Sequence, residues 1–211
     1  MRTILCYGDS NTHGTPPLER QGVFAERYGR DVRWPGVMAA ALGAGWHLVE
    51  EGLNGRTTVH DDAIEGVHRN GATVLPAVLE SHKPIDVMVL MLGTNDCKQR
   101  FGLTSLDIAL GVRRLMDMAQ ASGLVERLLV VSPAPITETG CLAEIFRGGA
   151  ERSAGIAAHL YAICEERGAA FLDAGAHVTT DPLDGVHLSP ESHRVLGEAV
   201  AARVRALVSE G

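Results

Sequence analysis

Three residues, one near the start of the chain and two near its end, have the types that acyl transfer to a serine requires. They are Ser10 in Tyr7-Gly8-Asp9-Ser10-Asn11-Thr12-His13-Gly14-Thr15, and Asp184 and His187 in Asp184-Gly185-Val186-His187. A serine hydroxyl attacks a carbonyl when a base takes its proton, a third group fixes the tautomer of that base, and N–H donors meet the charge growing on the carbonyl oxygen. Ser10 suits the nucleophile, His187 the base and Asp184 the orienting carboxylate, with a tight turn at Gly185 bringing the last two together. The donors available are the backbone N–H of Ser10, the backbone N–H of Gly55 and the side-chain amide of Asn95, a neutral donor that does not repel a protonated base. Each segment alone has a plainer reading. Gly8-Asp9-Ser10 is also an ordinary turn with a capping side chain, Asp-x-x-His a solvated pair, and Asn95-Asp96 an Asx-turn at a strand end.

These residues can meet only if the fold delivers four loops to one edge. The apolar run Ile4 to Tyr7 reads as a strand that breaks at Gly8, and Trp34-Pro35 opens a helix to about Leu42 after a long connection over 16–32. Trp46 to Val49 is a second strand, left by Glu50-Glu51-Gly52-Leu53-Asn54-Gly55-Arg56-Thr57-Thr58; residues 73–82 are helical. Ile85 to Leu92 is a near-continuous apolar run that suits a central parallel strand, and it stops at Gly93-Thr94-Asn95-Asp96. A helix from Ser105 to Ser122, a strand from Leu128 to Val131, a helix over 150–167, a strand from Ala170 to Leu172 and a last helix opened by Ser189-Pro190 complete the alternation. Five strands alternating with helices predict one α/β domain over residues 1–211, a three-layer α/β/α sandwich around a five-stranded parallel sheet. In such folds the ligand site lies outside the carboxyl ends of the strands, where all four loops emerge or gather.

Composition removes several functions. At 211 residues, 45% hydrophobic and 21% charged, the chain can bury a large core, and its net charge of −7 with scattered basic residues offers no footprint for nucleic acid or an anionic membrane. No run is long enough to span a bilayer and no signal-peptide pattern precedes the first strand, so a cytoplasmic protein is expected. Cys6, Cys97, Cys141 and Cys164 are widely spaced, which argues against a disulfide framework or a zinc site. Cys6 and Cys164 read as core hydrophobes. No pair among the nine histidines has zinc-ligand spacing, His60, His68 and His82 read as surface residues, and neither metal nor cofactor is expected.

The four segments, in order, resemble those of the SGNH hydrolases, the GDSL-type esterases and lipases: Gly8-Asp9-Ser10, Gly52-Leu53-Asn54-Gly55, Gly93-Thr94-Asn95-Asp96 and Asp184-Gly185-Val186-His187. The resemblance spans the whole chain. It implies a flavodoxin-like sheet, Ser10, Asp184 and His187 as a catalytic triad, and Ser10, Gly55 and Asn95 as oxyanion donors. Asp31-Val32-Arg33-Trp34, Glu50-Glu51-Gly52-Leu53, Met91-Leu92-Gly93-Thr94 and Val130-Val131-Ser132-Pro133 are similar to a bacterial arylesterase and acyltransferase subgroup. That likeness implies short aryl and alkyl esters as small-molecule substrates, acyl transfer to alcohols or peroxide, and a homo-oligomer, in the extreme an octamer. Asn11 stands where the family name has leucine, and puts a polar group beside the serine.

Around the site, Asn11, His13 and Asn54 are candidates to orient a polar acceptor, although Asn11 and His13 also suit simple turn closure. Phe101, Ile136 and Phe146, with Leu103, Leu142 and Ile145, are candidates to wall an acyl pocket, to contact a neighbouring subunit or to pack ordinarily within loops. The sequence also fits two other functions. One is a deacetylase of sugars or other metabolites; the other is a flavodoxin-like flavin- or phosphate-binding protein using the hydroxyl-rich Ser10–Thr15 loop as its cradle.

Overall fold

A computed structural model describes residues 1–23 and 26–209. Its strands are β1 (Arg2–Gly8), β2 (Trp46–Gly52), β3 (Ile85–Met91), β4 (Val125–Ser132) and β5 (Ala170–Asp173), all parallel in the order β2-β1-β3-β4-β5. The principal helices are α1 (Ser10–His13), α2 (Trp34–Leu42), α3 (Gly71–His82), α4 (Ser105–Ser122), α5 (Gly149–Ala154), α6 (Ile156–Arg167) and α7 (Pro190–Ser209). The chain winds outward in both directions from β1, so the crevice between β1 and β3 is the point where strand order reverses. Gly8 pairs with Gly52 on one side and Met91 on the other, which aligns the ends of three strands below a single crevice.

Because successive side chains on a strand face opposite ways, each strand serves two cores. Leu5, Tyr7, Met88, Leu90, Leu128 and Val130 pack against α3, α4 and α6 through residues such as Leu75, Leu115 and Leu160. Ile4, Cys6, Val87, Val89, Leu129 and Val131 pack against α2 and α7 through Trp34, Met38, Leu196 and Val200. The expected three-layer α/β/α sandwich, with its five-stranded parallel sheet, is therefore the observed one.

Three local differences have physical reasons. Ser10 opens a one-turn helix rather than an open loop: Asp9 caps it by accepting from the Asn11 N–H at 2.9 Å, and Gly14, at φ 87°, ends it. This turn folds back so tightly on β1 that a Cβ at Gly8 would lie 2.7 Å from the Thr12 Cβ, and 2.8 Å from the Met91 carbonyl oxygen of β3, so only glycine fits there. The helix expected over 150–167 is divided at Gly155, where the Ser105 hydroxyl takes the Arg152 carbonyl as acceptor at 2.7 Å. β4 starts at Val125 rather than Leu128, because its ladder to β3 begins at Ile85↔Val125 and needs backbone groups rather than apolar side chains. The connection expected over 16–32 includes residues 24 and 25, which lie outside the described residues.

Helix α2 is tied to α7 by a buried histidine. The Trp34 N–H donates to Nδ1 of His193 at 3.2 Å, and His193 is fully buried. Burial, with the charge of nearby His187 adding to it, pushes the His193 pKa down to about 4 from an ordinary 6.5. The unfolded chain therefore binds a proton between those values that the folded chain refuses, so this stabilisation is complete above 6.5 and is lost as pH falls through 4. Buried Asp9, raised to about 6 chiefly by desolvation, acts in the opposite sense: its contribution is complete below 3.8 and is lost as pH rises through 6. Comparing the wild type with His193→Asn cancels the Asp9 term. Between pH 7 and pH 5 the wild type should lose about 2 kcal/mol more unfolding free energy than the variant. Equal losses in urea titrations at the two pH values would contradict the buried neutral state of His193.

Candidate active site

Ser10, the first residue of α1, stands at the carboxyl end of β1, and His187 reaches it from the segment leading into α7. The Ser10 Oγ to His187 Nε2 distance is 3.1 Å, and His187 Nδ1 lies 2.6 Å from Asp184 Oδ2. All three are buried, with Asp184 wholly excluded from solvent. Asp184 accepts from the N–H groups of Val186 and His187 at 2.9 Å each and from that of Leu18 at 2.7 Å. Burial alone would raise this carboxyl, but the hydrogen bond and charge of His187 together with those backbone donors hold it below the ordinary carboxylate range. An ionised carboxylate thus faces one ring nitrogen while the other faces the serine, the arrangement a general base needs to take a hydroxyl proton.

The loops after β2 and β3 are locked to each other beside the serine. Asp96, fully buried, accepts from the Thr58 N–H with both carboxylate oxygens, at 3.1 and 3.0 Å, and from its hydroxyl at 2.5 Å. The Asn95 side-chain amide donates to the Arg56 carbonyl at 3.2 Å. Arg56 is itself buried, its guanidinium 4.1 Å from the centre of the Tyr7 ring and bonded to the Gly8 carbonyl at 2.9 Å. Gly55 adopts φ 73°, and a Cβ there would run into the Glu65 carboxylate. These ties bring Gly55 and Asn95 to the same cavity as Ser10 and His187.

That cavity has a volume of about 320 Å³. Leu18, Leu142, Ile145, Phe146 and Val186 make an apolar wall; Asn54, Glu65, Arg69 and Lys98 make a charged and polar one. Of the residues expected to contact substrate, Asn54 and Phe146 line it, and the other four stand outside its lining. Asn11 bridges the Val186 carbonyl and the Leu188 N–H, each at 3.1 Å, so its amide splices the serine turn to the histidine segment, and it stands outside the cavity lining. His13 ends α1, outside the cavity lining. Ile136 is core, with its N–H donating to the Ser153 hydroxyl at 3.0 Å. Phe101 packs beside His60, ring centres 6.0 Å apart.

Leu18, Glu65, Arg69 and Lys98 carried no local signal as site residues. Leu18 reaches the site only because the connection after α1 folds over Asp184; Glu65 and Arg69 come from a loop that strand periodicity does not place. The hydroxyl cradle expected by the phosphate-binding alternative does not form: Thr12 is fully buried, and the Thr15 hydroxyl donates to Asn54 Oδ1 at 2.7 Å. Cys6, Cys97 and Cys164 are buried, and burial pushes the Cys97 thiol up to about 12, far from a reactive thiolate. Of the histidines expected at the surface His68 is exposed, whereas His60 and His82 are half-buried. Among the described residues no three metal-ligating side chains cluster and no helix is long and apolar enough to cross a membrane.

Comparison with known proteins adds a family-level finding. The profile of the GDSL-like lipase/acylhydrolase family matches residues 6–195. An aryl esterase from M. smegmatis is 39% identical with a TM-score of 0.91, over 98% of this chain and 100% of that one. A carbohydrate acetylesterase from Sinorhizobium meliloti is 39% identical with a TM-score of 0.92, over the same shares of 98% and 100%. A comparison with curated proteins gave no match.

Proposed function

The chain belongs to the GDSL-like lipase/acylhydrolase family, and from that premise we propose that Ser10 is the nucleophile, His187 the general base and Asp184 its orienting carboxylate. The enzyme is a carboxylic ester hydrolase acting on a small-molecule ester. In our reading, Ser10 Oγ attacks the ester carbonyl while its proton passes to His187 Nε2, and Asp184 stabilises the resulting imidazolium through the Nδ1–H bond. The tetrahedral oxyanion accepts from the N–H groups of Ser10 and Gly55 and from Asn95. Collapse expels the alcohol, which takes the proton from His187, and leaves an acyl-serine. Water, or a competing alcohol, then repeats the sequence in reverse and frees the serine. The observation that carries the reading is the continuous run from Ser10 Oγ through both ring nitrogens of His187 to Asp184.

The substrate reading is a short acyl ester with either an aryl or alkyl alcohol, or an acetylated sugar; the cavity supports both, having an apolar wall and a polar one. Self-association and a cytoplasmic setting belong to the same reading, the first supported by Leu106 and Leu110 exposed on α4.

Asn95 provides the test of the oxyanion assignment. An amide has two N–H bonds, and only one is needed to hold the Arg56 carbonyl, so the other remains for substrate oxygen. Asn95→Ala should lower kcat on p-nitrophenyl acetate by roughly 10²–10³ with little change in KM, as for a donor used mainly in the transition state. An unaltered kcat in a folded variant would make Asn95 a loop anchor alone.

A further inference from the structure

The geometry points to Glu65 as a specificity-determining residue that accepts a hydrogen bond from a free hydroxyl on the substrate. This deepens, and rests on, the esterase reading above. Asp62, almost fully buried, accepts the N–H groups of Ile64 and Glu65 with Oδ1 at 3.0 Å each, which fixes the backbone under Glu65. Oε1 of Glu65 is clamped by Lys98 Nζ at 2.5 Å and by Arg100, while the other Asp62 oxygen holds Arg100 at 2.5 Å. Lys98 is itself buried, so this clamp is not a loose surface pair.

The second oxygen of Glu65 is used differently. Oε2 has no hydrogen-bond partner among the described residues, and it occupies the space over Gly55 that a Cβ would fill. Glu65 and Gly55 both line the cavity that holds Ser10 and His187. A carboxylate gripped through one oxygen thus presents the other, in a fixed direction, beside the site where an ester would react.

Charge decides what that oxygen accepts. Arg69, Lys98 and Arg100 bring three positive charges against the two negative charges of Asp62 and Glu65, so an ammonium group would meet a local surplus of its own sign. An anionic substrate group would meet the Glu65 oxygen itself. A neutral O–H donor meets neither penalty. The substrate class is therefore an ester whose alcohol part keeps a free hydroxyl near the scissile bond, as in a partly acylated polyol.

The test compares 2-hydroxyethyl acetate with 2-methoxyethyl acetate, whose ether oxygen has a similar pull on the leaving group but no proton to donate. Wild-type enzyme should favour the hydroxy ester in kcat/KM by about tenfold, and in Glu65→Ala this ratio should fall to near one. Taking the ratio removes any change in the machinery that both esters share. A wild-type ratio near one overturns the inference without recourse to a variant, and so does a high ratio that survives in Glu65→Ala. If wild-type enzyme cleaves p-nitrophenyl acetate but neither of these esters, this inference alone falls; if it cleaves none of the three, the esterase reading falls and this inference with it.

Discussion

Ser10→Ala is expected to lower kcat on p-nitrophenyl acetate by roughly 10⁵–10⁶ while leaving the fold and its thermal midpoint almost unchanged. The loss is large because the variant has no atom to carry the acyl group, so the path through a covalent intermediate closes. What remains is attack by water in a site that still offers oxyanion donors. The fold should persist because, among the described residues, the Ser10 hydroxyl bonds only to His187, at 3.1 Å, whereas the turn of α1 is held by the Ser10 carbonyl, which accepts from Gly14 and Thr15. Steady-state kinetics beside a thermal melt would separate the two effects. Activity within tenfold of wild type would place the nucleophile elsewhere.

Asp184→Asn should cost about 10⁴ in kcat and, unlike Ser10→Ala, also about 2 kcal/mol of stability. Among the described residues every partner of Asp184 is a donor: Leu18 N–H and His187 Nδ1–H on one oxygen, Val186 N–H and His187 N–H on the other. An asparagine can present only one acceptor atom. Whichever way its amide sits, its NH₂ group faces two donors in a fully buried position. If that NH₂ turns to the imidazole, it donates to Nδ1 and drives the proton to Nε2, the nitrogen that must accept from Ser10. Urea titration with kinetics would test both parts. A variant that loses stability yet keeps kcat within tenfold would make Asp184 a scaffold for the turn rather than the partner of the base.

The parts of the site legible in the sequence are those tied to strand ends. Gly8 and Gly93 each follow an apolar run directly, and Gly52 comes three positions after Val49, the end of the expected second strand, so the strands and the loops they release could be located, and parallel alternation then forces those loops to one edge. The role of Asn11 was not legible, because its partners Val186 and Leu188 are 175 and 177 positions away and no local pattern reports them. The place of Ile136 is hidden in the sequence for a related reason. An apolar residue in a loop looks the same whether it lines a cavity or plugs the core, and here the Ser153 hydroxyl anchors it inward. The clamp on Glu65 joins residues 62, 65, 98 and 100 from two loops, and its meaning depends on a cavity that neither loop forms alone.

Ser10 Oγ is the atom on which the reaction depends, and an organophosphonate ester tests its role most directly, since such reagents phosphonylate a serine only when a base activates it. Intact mass and peptide mapping after incubation should find one adduct per chain, on the peptide containing Ser10, with none in Ser10→Ala. An adduct on another peptide, or undiminished labelling in Ser10→Ala, would contradict the assignment of Ser10 as the nucleophile.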